Sequence, residues 1–180
     1  MKKVYYILIG AIFIFLLSGC GTNTPKAKTE EYLSRYTSLN TAVKDELDTT
    51  VSSSGLSTAN QESYRKVLER QYKNIKYEVK DESVDADEAI VKVKITVYDL
   101  YKAEKNSLEY LNTNHDEFYE NNILIQTKYD TYRLNSMLNI TDTIDYDINF
   151  YLTKKNGTWI VDNPDAVTLE KIHGLYNYEQ

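Results

Sequence analysis

The chain has 180 residues, with 21 lysines and arginines against 27 aspartates and glutamates, a formal charge of −6. That acidity excludes a nucleic-acid partner, whose phosphates demand clustered basic charge, and the length suits one domain with a real core. The single cysteine excludes an internal disulfide and a thiolate-rich metal site.

Met1, Lys2 and Lys3 precede an apolar run from Val4 to Leu17, broken only by Gly10. A basic start, an apolar stretch of about 7 to 15 residues and small residues at its end describe an export leader; a spanning helix needs roughly 20 apolar residues. Cys20 sits where the leader ends, and Leu17-Ser18-Gly19-Cys20 closely resembles the lipobox of bacterial lipoproteins. That resemblance implies cleavage between Gly19 and Cys20 and acylation of the Cys20 thiol. The organisation expected is a signal peptide over 1–19, a lipidated tether over 20–24 and one α+β domain over 25–180. Loss of Lys2 and Lys3 takes the charge to −8, so attachment to the membrane rests on the lipid and not on the domain's charge.

Thr24 followed by Pro25 reads as a helix N-cap and first helical residue. Tyr32, Leu33, Tyr36 and Leu39 continue at helical spacing into Val43 and Leu47, which predicts one helix to about Asn40 and a second over Thr41 to Val51. After a break at Ser52 to Gly55, Thr58 and Gln61 have capping-box spacing ahead of an apolar stripe of Tyr64, Val67, Leu68 and Tyr72. At Ile75 the period drops to two. Ile75, Tyr77 and Val79, then Val91, Val93, Ile95 and Val97, alternate with polar residues about an acidic turn of Asp81, Glu82, Asp85, Asp87 and Glu88, predicting an antiparallel hairpin with one dry face. The helical period returns from Ala103 to Leu138, read as two helices with a cap at Asn114 and Glu117. Ile144, Tyr146, Ile148, Phe150 and Leu152 form the clearest strand, Asn156-Gly157 a tight turn, and Trp159 with Val161 the returning strand. Leu169 and Ile172 before Gly174 predict a short final helix with its C-cap.

The order gives an α+β fold: N-terminal helices packed on a curved, mostly antiparallel sheet of about four strands, with a helical insertion between the two hairpins. The lipobox, the first helices, the Tyr-x-Val hairpin and the closing Asn-Gly-x-Trp-x-Val hairpin with its short helix resemble small bacterial lipoproteins with a nuclear transport factor 2-like, or cystatin-like, domain. Its 17 tyrosines and its many Asn, Ile and Lys residues match the usage of low-GC Gram-positive bacteria. The resemblance implies a sheet wrapped around helices with a cone-shaped cavity, a fold shared by enzymes and by non-catalytic binding modules.

Little in the chain points to catalysis. His115 and His173 lack the spacing of a zinc-binding helix, Ser52-Ser53-Ser54-Gly55 is no nucleophile elbow, and the acidic turn lacks the glycine and spacing of a calcium loop. Asp142, Asp145 and Asp147 are expected to oppose lysines on a neighbouring strand, with a weak divalent-cation site as the alternative. Tyr77, Tyr146 and Trp159 fall on the apolar phase of their strands and are the candidate lining of a ligand cavity. The inward phases contain no carboxylic acid to move a proton. The expectation is therefore a lipid-anchored, non-catalytic binding domain on the outer face of the cell membrane, without metal or cofactor, whose partner is an envelope protein or cell-wall component. A small-ligand carrier using the concave face is the alternative, and an enzyme of the same fold the more remote one.

Overall fold

The computed structural model describes residues 22–179; the leader, Gly19 and Cys20 lie outside them. Among the described residues, seven helices and a four-stranded antiparallel sheet make an α+β fold. The N-terminal layer comprises α1 (Pro25–Thr37), α2 (Thr41–Ser52) and α3 (Thr58–Lys73). Thr24 caps α1 by accepting from the Ala27 N–H, and Asn40 caps α2 from Val43. The cap of α3 lies one residue ahead of its expected place: Ser57 accepts from the Asn60 N–H, while Gln61 donates to the Leu56 carbonyl.

The first hairpin, β1 (Lys76–Asp85) and β2 (Glu88–Tyr98), turns on Ala86 and Asp87 alone. Asp81, Glu82 and Asp85 are therefore strand residues and not part of a long acidic turn. A bulge between Val79 and Asp81 inserts one residue into β1, which reverses the facing of everything beyond it. Glu82 thereby pairs with Val91 on the inward phase, where the sequence led us to expect no carboxylate. β5 (Thr143–Lys155) pairs with the whole of β2 through Thr143 to Thr153, and β6 (Thr158–Val161) closes the sheet in the order β1-β2-β5-β6. Asn156 and Gly157 both take positive φ, as a two-residue hairpin requires.

The insertion between the hairpins is more divided than its periodicity suggests. α4 (Leu100–Thr113) starts three residues before Ala103, and a single turn, α5 (His115–Phe118), follows it. A ribbon of β3 (Tyr119–Glu120) and β4 (Ile123–Leu124) then leads to α6 (Gln126–Asn139). Two residues per strand are too few to show a period, and Asn121 and Asn122, both at positive φ, make the ribbon's turn. The chain closes with α7 (Ala166–His173), capped by Asp165 and ended by Gly174 in the left-handed conformation.

One face of the sheet is dry. Val91, Val93, Ile95, Val97, Ile148, Phe150 and Leu152 meet Leu33, Tyr36, Leu47, Leu68 and Tyr72 of the helical layer in one continuous core. The other face is polar: Asp145 pairs with Lys94 at 2.7 Å and accepts from Thr96, and Asp142 pairs with Lys102. Lys94 is the cross-strand lysine that the alternation called for, and Asp147 sits opposite it in register; Lys102, the partner of Asp142, belongs to the following helix and not to a neighbouring strand. A smaller cluster of Val67, Leu100, Ala103, Leu134 and Met137 joins α4 and α6 to α3. Among the described residues, no helix is long and apolar enough to cross a membrane.

Candidate functional site

Tyr77, Tyr146 and Trp159 all face the inner side of the sheet, but they do not line one cavity. Tyr77 pairs with Ile95 and Ile95 with Tyr146, so these two tyrosines flank one isoleucine in a single cross-strand row. Trp159 pairs with Lys154, eight residues further along β5, which puts it about 26 Å from that row at roughly 3.3 Å per residue. Shared strand phase fixes the face of a residue and says nothing of its position along the strand. Each ring also has a packing partner. Tyr146 stands edge-on to Tyr176, with ring centroids 5.8 Å apart; Trp159 is 6% exposed; and Tyr77 packs against the main core. The inner face is filled by helices, and Phe150 meets Tyr32, Tyr32 meets Tyr36, and Tyr36 meets Tyr72 along it.

The acids of the inner side are occupied. Glu82 accepts from the Lys26 N–H at 2.7 Å, at the positive end of α1. Asp99, buried at the start of α4, caps that helix through Lys102 and accepts from the Tyr178 hydroxyl at 3.0 Å. Burial and this bond push Tyr178 up to about 12. Of the histidines, His115 is exposed and stacked on Tyr119. His173 lies against Tyr72, its Nε2 has no partner among the described residues, and burial pushes it down to about 4. No group of three or more metal-ligating side chains gathers among the described residues.

The feature the sequence did not disclose is a groove between α4 and α6. Tyr101, Leu108 and Tyr129 form its apolar walls, and Glu104, Asp130 and Arg133 its polar floor, around about 430 Å³. Arg133 reaches Glu104 at 2.6 Å and Asp130 at 3.6 Å, and Gln126 donates to the same Asp130 oxygen at 3.0 Å. Asp130 is 6% exposed, and the guanidinium and the amide supply the donors that a buried carboxylate needs. A second recess, between Tyr64, Leu56, Met137 and Leu175, lies on the other side of the Glu104–Arg133 pair. Burial holds the hydroxyls of Tyr64 and Tyr129 above the ordinary tyrosine range. Aromatic walls over a hydrogen-bonded, acidic floor suit binding; the groove lining holds no hydroxyl-and-imidazole pair for nucleophilic chemistry. The sequence signal was faint: Asp130 and Arg133 have the spacing of an ordinary helical ion pair, and Glu104 comes from a helix whose packing face periodicity alone did not fix.

No family model matches the chain, and no curated protein matches it in sequence. Among solved structures it is similar to the candidate lipoprotein YcdA of Bacillus subtilis subsp. subtilis str. 168, at 19% identity and a TM-score of 0.41. The match covers 76% of this chain and 46% of that one, so the chain spans less than half the length of that neighbour.

Proposed function

We propose that this chain is an envelope lipoprotein, anchored through acylated Cys20 on the outer face of the cell membrane, whose domain is a non-catalytic binding module. The observation that carries the module reading is the filled inner face of the sheet. Leu33, Tyr36, Leu68 and Tyr72 occupy the space in which a small-ligand carrier of this architecture would hold its cargo. The engagement of Glu82, Asp99 and Asp130 in structural bonds supports the absence of catalysis, since each carboxylate already has its donors. Anchoring rests on Leu17-Ser18-Gly19-Cys20 at the end of the apolar leader. The order helices, hairpin, helical insertion, hairpin, short helix supports the nuclear transport factor 2-like reading. The α4–α6 groove is the surface we assign to an envelope protein or cell-wall partner.

Metabolic labelling with a lipid precursor tests the anchor: the wild type incorporates it and Cys20→Ala does not. A photo-crosslinker at Leu108, which is half exposed on the groove wall, tests the module. It should trap a discrete envelope partner that the same crosslinker at Asp147, on the outer sheet face, does not.

A further inference from the structure

The first described residues are fastened to one end of the sheet. The Asn23 side-chain amide donates to the Gly157 carbonyl at 2.8 Å, and its oxygen accepts from the Trp159 N–H at 2.9 Å. One side chain thus holds both sides of the chain where β6 begins, and Thr24 starts α1 immediately after it. Glu82 of β1 holds the same helix end through Lys26. Only Gly21 and Thr22 separate Asn23 from Cys20. Three Cα-to-Cα steps of about 3.8 Å allow a reach of about 11 Å at full extension.

This reach is short compared with the sheet. Thr143 lies twelve residues along β5 from Lys155, roughly 40 Å away. Tyr98, which leads through Asp99 into α4, pairs with Thr143 at that remote end. Glu104 lies only about 8 Å along the helix from Asp99, so the groove floor stays roughly 30 Å from the Asn156–Gly157 turn.

Resting on the proposed acylation of Cys20, we infer that the end of the sheet formed by Lys155, Asn156 and Gly157 is a membrane-contacting surface. Its partner is the phospholipid headgroup layer, and the α4–α6 groove is presented away from the bilayer. The tether sets this orientation, and attraction to anionic lipid does not: exposed Lys155 is outnumbered by Asp85 at the end of β1 and Asp87 of the adjoining turn, whose carbonyl accepts from the Lys154 N–H. The contact is therefore expected on zwitterionic headgroups as well as anionic ones.

The test uses the full-length lipidated protein in vesicles of phosphatidylcholine carrying a headgroup spin label. Cys20 is the only cysteine and is blocked when acylated, so Lys155→Cys and Thr143→Cys each supply one free thiol for a fluorophore at an exposed position. Quenching several-fold stronger at Lys155→Cys than at Thr143→Cys supports the orientation, and the ratio should persist when phosphatidylglycerol is added. Equal quenching, or stronger quenching at Thr143→Cys, overturns it. Asn23→Ala should bring the ratio towards unity while far-UV circular dichroism stays unchanged; an unaltered ratio removes Asn23 as the fastening. Mass measurement of the Cys20 peptide separates the two claims. Without acylation the anchor and the orientation fall together, whereas acylation with equal quenching overturns the orientation alone.

Discussion

The sheet with its inner helices and the α4–α6 insertion are built on different terms. The sheet side buries a continuous core that runs through α1, α2, α3, α7, β2, β5 and β6, with half-buried Tyr77 and Val79 of β1 packed against it. The insertion has five buried members in its own cluster, one of them contributed by α3, and relies on polar and aromatic partners for the rest. Arg70 of α3 donates to the Ile140 carbonyl at 2.6 Å and stacks its guanidinium 3.6 Å above Tyr98. Tyr110 stacks on Tyr132 at 4.5 Å, and Phe118 stands edge-on to both Tyr129 and Tyr132. The large side is a scaffold whose stability comes from apolar area. The small side leaves charge and aromatic rings at its surface, which is where a partner can be recognised.

Truncation in the scaffold should give the largest effect. Trp159→Ala removes one of its largest buried side chains and is expected to cost about 3 to 5 kcal/mol, a large share of a typical ~5 to 15 kcal/mol, in urea unfolding followed by far-UV circular dichroism. Leu134→Ala, fully buried in the insertion, should instead act locally. Hydrogen exchange is expected to quicken in α4 and α6 while β2 and β5 keep their protection. Equal loss of protection in both regions would show that they unfold as one unit. Tyr98→Ala should also destabilise, although its strand phase points outward, because its ring lies under Arg70 and packs against the cluster joining α4 and α6 to α3.

The seam between the two regions carries a pH dependence. The folded state holds His173 down to about 4, against an ordinary value of 6.5, because burial penalises the imidazolium. Between these values the unfolded chain binds a proton that the folded one refuses, so stability falls as pH drops from about 6.5 and levels off below about 4. The full loss is up to about 3 kcal/mol. His173→Phe should flatten that part of the stability profile relative to wild type, whatever it does to stability at pH 7. An unchanged slope would place the proton uptake elsewhere.

The same contrast explains what could be read in the chain. Regular alternation over eleven and thirteen residues fixed the facing of β2 and β5, and Thr24-Pro25, Asn156-Gly157 and Gly174 marked ends and turns through local chemistry. The bulge in β1 has no sequence mark among Lys80, Asp81 and Glu82, all polar, so the inward place of Glu82 was hidden. The four strand residues of β3 and β4 cannot display a period. The groove was hidden for another reason: Glu104 and Arg133 are 29 positions apart, and their meeting depends on how α4 packs on α6. Tyr77, Tyr146 and Trp159 were legible as inward residues and illegible as neighbours, because distance along a sheet is set by register.

Gly174 tests the seam without touching either core. It has φ +72, and a Cβ there would lie 2.2 Å from the Gln71 side-chain nitrogen and 2.3 Å from the Tyr98 carbonyl oxygen. Its own carbonyl accepts from the Tyr101 N–H at the first turn of α4. Gly174→Ala therefore combines left-handed strain with displacement of the Gln71–Tyr98 bonds, a cost of roughly 1 to 3 kcal/mol. Thermal unfolding should show the loss, and exchange at Tyr98 and Tyr101 should quicken first. A neutral Gly174→Ala would mean that α7 shifts freely against α3.

The smallest expected effect lies at the opposite end of the sheet from the seam. Glu82→Gln keeps the acceptor for the Lys26 N–H but removes the charge facing the positive end of α1, whereas Glu82→Ala removes both. Charge at a helix N-terminus contributes typically 0.3 to 1 kcal/mol, and a lost cap acceptor typically about 1 kcal/mol. Glu82→Gln should therefore cost a few tenths of a kcal/mol, and Glu82→Ala about 1 kcal/mol, in equilibrium urea unfolding. Added salt should weaken only the first of these contributions, because screening acts on the charge and leaves the hydrogen bond. Neither variant should alter exchange in α4 or α6, since β1 meets the helical layer at α1 and the insertion leaves the sheet from the remote ends of β2 and β5. If Glu82→Ala quickened exchange in the insertion, the two regions would be coupled along the whole sheet, and the division between scaffold and insertion would fail.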